Sequence, residues 1–286
     1  MLLLNGGIIP SITKLVPTRL RPFLLNLYCH MLDGIALVRG RRDKLTPPKR
    51  LLRFATDPNS DFGETGRDFA DFLVKQCGLR PEHKVLDVGC GVGRIAVPLT
   101  AYLDSNGAYE GFDIVPQEVA WCATHVSSKF PNFRFQLADV RNLTYNPKGG
   151  TPASEYRFPY DDGSFDIVVV ASVFTHMLSR DIDRYLMEVS RVLKRGGRCF
   201  VSFYLLNDEA RKNIEAGNSV FDFSIAIDGC RVEKADNPES AVAYEEERVR
   251  QLCGRCELLI DAVFYGTWSS GRAQMQDIIL ASRAMR

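Results

Sequence analysis

No stretch of the 286 residues is apolar for long enough to read as a membrane span. The longest apolar run, residues 23–38, is broken by Asn26, His30 and Asp33 and falls short of the ~20 residues a helix needs to cross a bilayer. The opening MLLLNGG has neither the basic residues nor the small-residue cleavage site of a secretory leader, so a cytoplasmic location is expected. Net charge is also missing: at +1, the whole chain sets up no field that would draw nucleic acid. Internal repeats and low-complexity segments are absent, and no pattern points to an oligomeric state. Eight cysteines are present, but a chain of this size does not need disulfides. Several of them, Cys122 and Cys199 among them, lie in apolar runs where a free thiol acts as a small hydrophobe, which fits a reducing compartment. The single C-x-x-C, Cys253 to Cys256, has no second pair at zinc spacing. It reads as the end of a helix before a strand at 258–264.

Composition is that of an ordinary globular protein, 45% hydrophobic and 25% charged, but the charge is unevenly spread. Residues 1–53 hold ten basic side chains against Asp33 and Asp43, and the remaining 233 residues net −7. Pro10, Pro17 and Pro22 break the beginning into short pieces. An apolar helix is expected at 23–38, then a basic run at 39–44 and the break Pro47-Pro48. Residues 1–60 thus read as a basic, partly helical extension, with the main domain at 61–286.

From residue 84 the rhythm changes. Short apolar runs at 84–88, 109–114, 133–137, 165–171, 198–204, 258–264 and 276–281 read as strands. Helical spacing separates most of them, at 94–103, 116–128, 181–193 and 244–252, and another helix is expected at 68–77. Alternation of this kind predicts an α/β sheet covered on both faces. The 205–243 interval is too long for a simple crossover. It predicts a β-hairpin turned at Asp228-Gly229, in an insert of the kind that sits over an active site.

The sharpest local signal is Val85-Leu86-Asp87-Val88-Gly89-Cys90-Gly91-Val92-Gly93-Arg94, a buried strand entering a glycine turn before a helix. Glycines let a ligand approach the main chain, and the helix start offers free N–H groups. A dinucleotide fold wants G-x-G-x-x-G, whereas here the spacing is G-x-G-x-G and Arg94 stands where the third dinucleotide glycine would fall. Asp87 at the strand end would repel a pyrophosphate and suits a cationic amine instead. Asp113 ends the next strand, placed to accept hydrogen bonds from both hydroxyls of a ribose.

These residues, with Ala138-Asp139-Val140 after the third strand, Phe165-Asp166-Ile167-Val168-Val169 and Leu193-Lys194-Arg195-Gly196-Gly197, resemble the class I S-adenosylmethionine-dependent methyltransferases in order and spacing over roughly residues 60–286. The resemblance implies a Rossmann-like, doubly wound seven-stranded sheet in the order 3-2-1-4-5-7-6, with the last strand antiparallel. It implies that Asp87, Gly89, Gly91 and Gly93 hold the methionine end of S-adenosylmethionine and that Asp113 holds the ribose. It also implies that Ile114 packs on the adenine, that Asp139 meets the adenine amino group and that the Val140 amide reads the ring, with S-adenosylhomocysteine as product. Read without the resemblance, Asp139 serves equally as a helix N-cap or turn residue. Phe158-Pro159-Tyr160, Tyr145-Asn146-Pro147 and Ser172 to Met177 look like the branch acting mostly on small molecules.

Methyl transfer is an in-line displacement, so the protein chiefly aligns the nucleophile and excludes water. His176, after the fourth strand, is the candidate general base if the acceptor must lose a proton; otherwise Thr175-His176 shapes a loop. No Asp/Asn-Pro-Pro-Tyr/Phe follows the fourth strand, as in amino-methylating DNA enzymes, and no Pro-Cys stands there. Nor do carboxylates that would hold an oxygen-rich metal site. A small-molecule acceptor without a metal is the expectation. Phe221, Phe223 and Tyr244 are candidates for an aromatic lid over it, or for rings that pack the hairpin onto the domain. The basic extension could lie on an anionic membrane, receive an anionic acceptor, or cover the domain with its charges solvated. The competing function class is a catalytically silent methyltransferase-like module that binds the cofactor or a partner.

Overall fold

The computed structural model describes residues 45–55, 61–271 and 275–285, and residues 27–34 except 28 and 32. The basic run 39–44 and most of the expected helix at 23–38 lie outside the described residues. The part of that helix that is described, between Leu27 and Gly34, is helical. There Asp33 is buried and accepts from the Lys49 amide at 2.6 Å, giving α1 (Lys49–Ala55) its N-terminal acceptor.

α2 (Phe62–Lys75) is capped by Asp61, whose side chain accepts from the Glu64 amide at 2.7 Å. The chain then alternates as β1 (Lys84–Val88), α3 (Ala96–Leu99), β2 (Ala108–Asp113), α4 (Pro116–Cys122) and β3 (Phe133–Leu137). A small side ladder of β4 (Val140–Arg141) and β5 (Thr151–Pro152) follows, then β6 (Phe165–Val170), α5 (Ser179–Val192) and β7 (Leu193–Phe203). The insert contributes β8 (Leu205–Leu206), α6 (Asp208–Glu215), β9 (Ile225–Ile227), β10 (Cys230–Val232) and β11 (Val242–Glu245). The chain closes with α7 (Glu246–Arg255), β12 (Leu258–Phe264) and β13 (Asp277–Arg283).

The main sheet runs β3-β2-β1-β6-β7-β13-β12. Counted over its own seven strands, that is the expected 3-2-1-4-5-7-6, with β13 antiparallel to both neighbours. Strand alternation divides the core between the two faces. Leu86, Val88, Val168, Val170, Cys199 and Val201 pack toward α5 and α7. Val85, Ile167, Val169 and Phe200 pack toward α2 and α3, where Phe69 and Phe72 meet Phe200 edge-on with centroids 5.7 and 5.3 Å away. These nine branched and aromatic side chains and Cys199, all wholly or nearly buried, lie on the three adjacent strands β1, β6 and β7, and truncating one of the larger ones to Ala is expected to cost about 2–5 kcal/mol.

Several elements differ from the sequence reading. The helix expected at 94–103 is regular only over Ala96–Leu99, because the glycine turn extends to residue 95 and Pro98 supplies no amide. The helix expected at 116–128 continues beyond α4 as a π-helical turn, Ala123–Ser127. Tyr244 belongs to β11, not to the helix that follows. The hairpin turns at Asp228 and Gly229, both at positive φ (39° and 81°), and joins a second sheet ordered β8-β11-β10-β9. Phe221 and Phe223 are buried against Tyr204 and Trp268, and Tyr244 is fully buried with its hydroxyl donating to the Met177 carbonyl at 2.5 Å. The three rings proposed for a lid pack the insert onto the domain. The eight cysteines are free thiols, with Cys253 and Cys256 at the end of α7 as expected. Among the described residues, no helix is long and apolar enough to cross a membrane.

Candidate active site

The carboxyl ends of β1, β2 and β6 bring the singled-out residues together. The turn after β1 holds Gly89, Gly91 and Gly93 at φ 76°, 51° and 76°, a left-handed backbone that side chains resist. A Cβ on Gly89 would stand 2.4 Å from Val173 Cγ2, so the loop after β6 lies directly on the turn. From the other side α2 approaches through Gly66, where a Cβ would come 2.5 Å from the Arg94 carbonyl. Arg94 in turn lays its guanidinium over the Phe69 ring, 5.1 Å from the centroid.

Asp113 ends β2 and is 8% exposed. Its Oδ2 accepts from the Gly91 amide at 2.8 Å, and its Oδ1 from the Val115 amide at 3.0 Å. Burial raises its pKa, and the amides of Gly91, Val115 and Ile114 pull it back. Ile114 is half-buried against the same core. Asp87, 2% exposed, accepts from the Tyr109 hydroxyl on the neighbouring strand. The register sets Gly111 opposite Asp87, so no side chain stands between the carboxylate and the diagonal tyrosine. Burial pushes Asp87 up to about 7, an effect the Tyr109 hydrogen bond opposes. Asp87 thus stands buried just before the glycine turn, with one oxygen held by Tyr109.

Asp139 is exposed, and its Oδ1 accepts from the Gly150 amide at 3.0 Å. A Cβ on Gly150 would fall 2.7 Å from Asp139 Oδ2. Val140 is buried and pairs with Thr151 in the side ladder. Both residues stand just past the end of β3, beside Asp113, whose carbonyl accepts from the Ala138 amide at 2.9 Å.

His176 closes a short 3-10 turn, Phe174–His176. Its Nδ1 lies 3.0 Å from the Glu239 carbonyl and its Nε2 3.4 Å from the Tyr145 hydroxyl. Burial lowers its pKa, against backbone hydrogen bonds at Glu239 and Ser240 that raise it, so the ring is neutral near pH 7. The loop carrying it starts at Ser172, a non-glycine residue at φ 60°. That conformation is held from β7 and from the residue before β13, with the Ser172 amide donating to Ser202 Oγ at 2.7 Å and the Ser172 hydroxyl to Gln276 Oε1 at 3.1 Å. Strain kept by surrounding bonds is typical of functional loops.

Two further residues join the site. Glu118, in the first turn of α4, is 4% exposed and leaves Oε1 without a partner. Burial, reinforced by the neighbouring Asp113 charge, pushes it up to about 8. Tyr145, raised to about 12 by burial and then by the charges of Glu118 and Asp113, sets its hydroxyl 3.4 Å from His176 Nε2. Nothing local in the sequence marks Glu118, whose burial is set by packing, whereas Tyr145 belongs to the Tyr145-Asn146-Pro147 stretch already singled out.

A separate cavity of about 360 Å³, lined by Arg80, His83, Asp166, Lys194, Arg195 and Arg198, lies at the opposite, amino ends of the strands. Its cations are balanced, Lys194 by Asp166 and Arg195 by Glu257.

Comparison with known proteins agrees with this geometry. A family described as a methyltransferase domain matches residues 79–236. Methyltransferase GfsG of Streptomyces halstedii is 30% identical over 150 residues, 51% of this chain and 47% of that protein. A ubiquinone/menaquinone biosynthesis C-methyltransferase, UbiE of Geobacter sp. (strain M21), is 27% identical over 47% of this chain and 51% of its own. The chain thus spans about half the length of the curated relatives it matches. Among solved structures, the 1,6-didemethyltoxoflavin-N1-methyltransferase of Burkholderia thailandensis, bound to 1,6-didemethyltoxoflavin and S-adenosylhomocysteine, shares the fold with a TM-score of 0.51. It is 16% identical, over 78% of this chain and 79% of that one.

Proposed function

The chain belongs to the methyltransferase-domain family, and we propose that it is an S-adenosylmethionine-dependent enzyme that methylates a small molecule. The observation that carries this reading is the bridge from the Gly91 amide to Asp113 Oδ2. It joins the glycine turn and the acid across adjacent strands into one cradle, with the close approach at Gly89 and the unpartnered Oε1 of Glu118 beside it.

The residues present fit the cofactor. Gly89, Gly91 and Gly93 give the bare backbone its methionine end requires, and Asp113 offers the carboxylate for two ribose hydroxyls. Ile114, Asp139 and the Val140 amide stand where an adenine would lie. When bound, S-adenosylmethionine supplies a methyl group on a sulfonium sulfur, which keeps the electron pair of the broken carbon–sulfur bond. The chain's own part is to hold the acceptor in line, exclude water and take up the proton the acceptor gives off. His176, neutral and after β6, is placed for that last task. The small-molecule assignment draws on a relative named for ubiquinone/menaquinone biosynthesis and on a similarly folded enzyme bound to 1,6-didemethyltoxoflavin.

The test is calorimetric titration of S-adenosylhomocysteine into wild type and Asp113→Ala, with NAD as control. Binding of the homocysteine compound that is lost in the variant supports the assignment. No binding, or a preference for NAD, removes it.

A further inference from the structure

Around its 3-10 turn Pro238–Ser240 the insert makes three polar contacts with the loops of the active site. The Glu239 carbonyl faces His176 Nδ1 at 3.0 Å. The Glu239 carboxylate accepts from the Leu143 amide, and the Thr144 hydroxyl donates to Asn237 Oδ1 at 3.2 Å. The insert therefore binds both the ring of His176 and the loop that presents Tyr145.

The first contact fixes a proton. A carbonyl oxygen can only accept, so the nitrogen facing it carries the hydrogen. In a neutral imidazole the other nitrogen, Nε2, is then left with its lone pair. Tyr145 points its hydroxyl at that lone pair from 3.4 Å, with the two rings edge to face at 81° and centroids 5.3 Å apart. This bond is longer than a good hydroxyl hydrogen bond and is readily replaced by a better-placed group. Burial and the backbone of Glu239 and Ser240 set the ionisation of the ring. The one carboxylate on that turn is turned toward Leu143. From behind, the Asn142 side-chain amide donates to the His176 carbonyl at 3.0 Å.

We infer that Glu239 is a positioning residue that fixes His176 as its Nδ1–H tautomer, so that Nε2 and the Tyr145 hydroxyl form an acceptor-and-donor pair fitted to a hydroxyl group on the methyl acceptor. The inference rests on the methyl-transfer reading. A hydroxyl entering between the two side chains accepts from Tyr145 and donates to Nε2. An aliphatic amine, protonated near neutral pH, offers Tyr145 no lone pair, and neither does the reacting carbon of a neutral carbon acid. In the step that follows, the hydroxyl proton passes to Nε2 and the oxygen lone pair forms the new bond to the methyl carbon. The pair of the broken carbon–sulfur bond stays on sulfur, and His176 later releases its proton to water.

The test is nitrogen-15 NMR of the full chain near neutral pH, with and without S-adenosylhomocysteine, the His176 signals being assigned by their loss in His176→Gln. In wild type the proton is expected on Nδ1 by about tenfold or more, the worth of one hydrogen bond. Glu239→Gln, which still accepts from Leu143, is expected to keep that ratio. Glu239→Ala keeps the main-chain carbonyl but loses the carboxylate that anchors it to the Leu143 amide, so the carbonyl is expected to move off Nδ1 and the ratio to shift toward Nε2–H, while homocysteine affinity stays within about threefold. Phenol, used as a hydroxyl probe, is expected to shift the Nε2 signal in wild type and far less in Tyr145→Phe, with toluene inert in both. A wild-type proton on Nε2, or an unchanged ratio in Glu239→Ala, overturns the positioning role. An Nε2 signal unmoved by phenol overturns the hydroxyl pair. Failure to bind S-adenosylhomocysteine is a separate result, and it counts against the methyltransferase reading itself.

Discussion

The Gly91 amide and Asp113 Oδ2 are joined at 2.8 Å, although 22 residues separate them. The carboxylate that would serve a ribose is thus also the brace of the turn that would serve the methionine end. Cofactor affinity and turn geometry are coupled through one side chain.

From that coupling, Asp113→Ala is expected to weaken S-adenosylhomocysteine about 10- to 100-fold, the cost of losing charge-assisted bonds at a buried site. Calorimetry measures it. Affinity equal to wild type would mean the ribose is held elsewhere.

Gly89→Ala is expected to fail for two reasons, the positive φ and the 2.4 Å approach to Val173 Cγ2. Adding Val173→Ala removes only the second. The double variant should therefore recover part of a loss of about 1–3 kcal/mol, read by chemical denaturation. Full recovery would show that the backbone angle costs little, and none would show that the contact does.

His176→Ala is expected to leave S-adenosylhomocysteine affinity within about threefold, because the ring sits on the loop after β6 and not in the glycine turn. With the acceptor identified, turnover should fall about 100-fold or more, the usual worth of a positioned base. Near-normal turnover would reduce His176 to a loop-shaping residue.

Glu118 gives a pH signature. Its carboxyl titrates near 8 in the folded chain, against 4.5 for the free group, so over that interval the folded state holds a proton that the unfolded state has released. Its contribution to stability therefore declines as pH rises from about 4.5 to about 8 and is level above that. Glu118→Gln should match wild type in acid and exceed it at the alkaline end by on the order of 1–3 kcal/mol. Denaturation curves across that range measure it. A constant gap would show that Glu118 is charged throughout.

Much of the architecture was legible because strand periodicity and the glycine spacing are local patterns. The seven strands and the hairpin turn at Asp228-Gly229 stand where those patterns put them. The shortfalls have local causes too. Pro98 and the length of the glycine turn cut the helix at 94–103, and of the two roles open to Phe221, Phe223 and Tyr244 the rings are seen packing the insert against Tyr204, Trp268 and Phe203. Tyr109, Glu118 and Glu239 carried no sequence signal, because a tyrosine or glutamate becomes part of a site only through what it faces.

By itself, then, the sequence determined the order of strands and helices, the conformation the glycines at 89, 91 and 93 had to take, and the resemblance that places Asp113 and Asp139. Each of those signals is a short motif, and their order along the chain is written in the sequence. Tertiary structure alone decided that Asp87 lies under Tyr109, that Glu118 is buried beside Asp113, and that the insert reaches His176 through a main-chain carbonyl. Each depends on groups 22 residues apart or on separate elements, where packing sets burial and burial sets which atoms carry charge or protons.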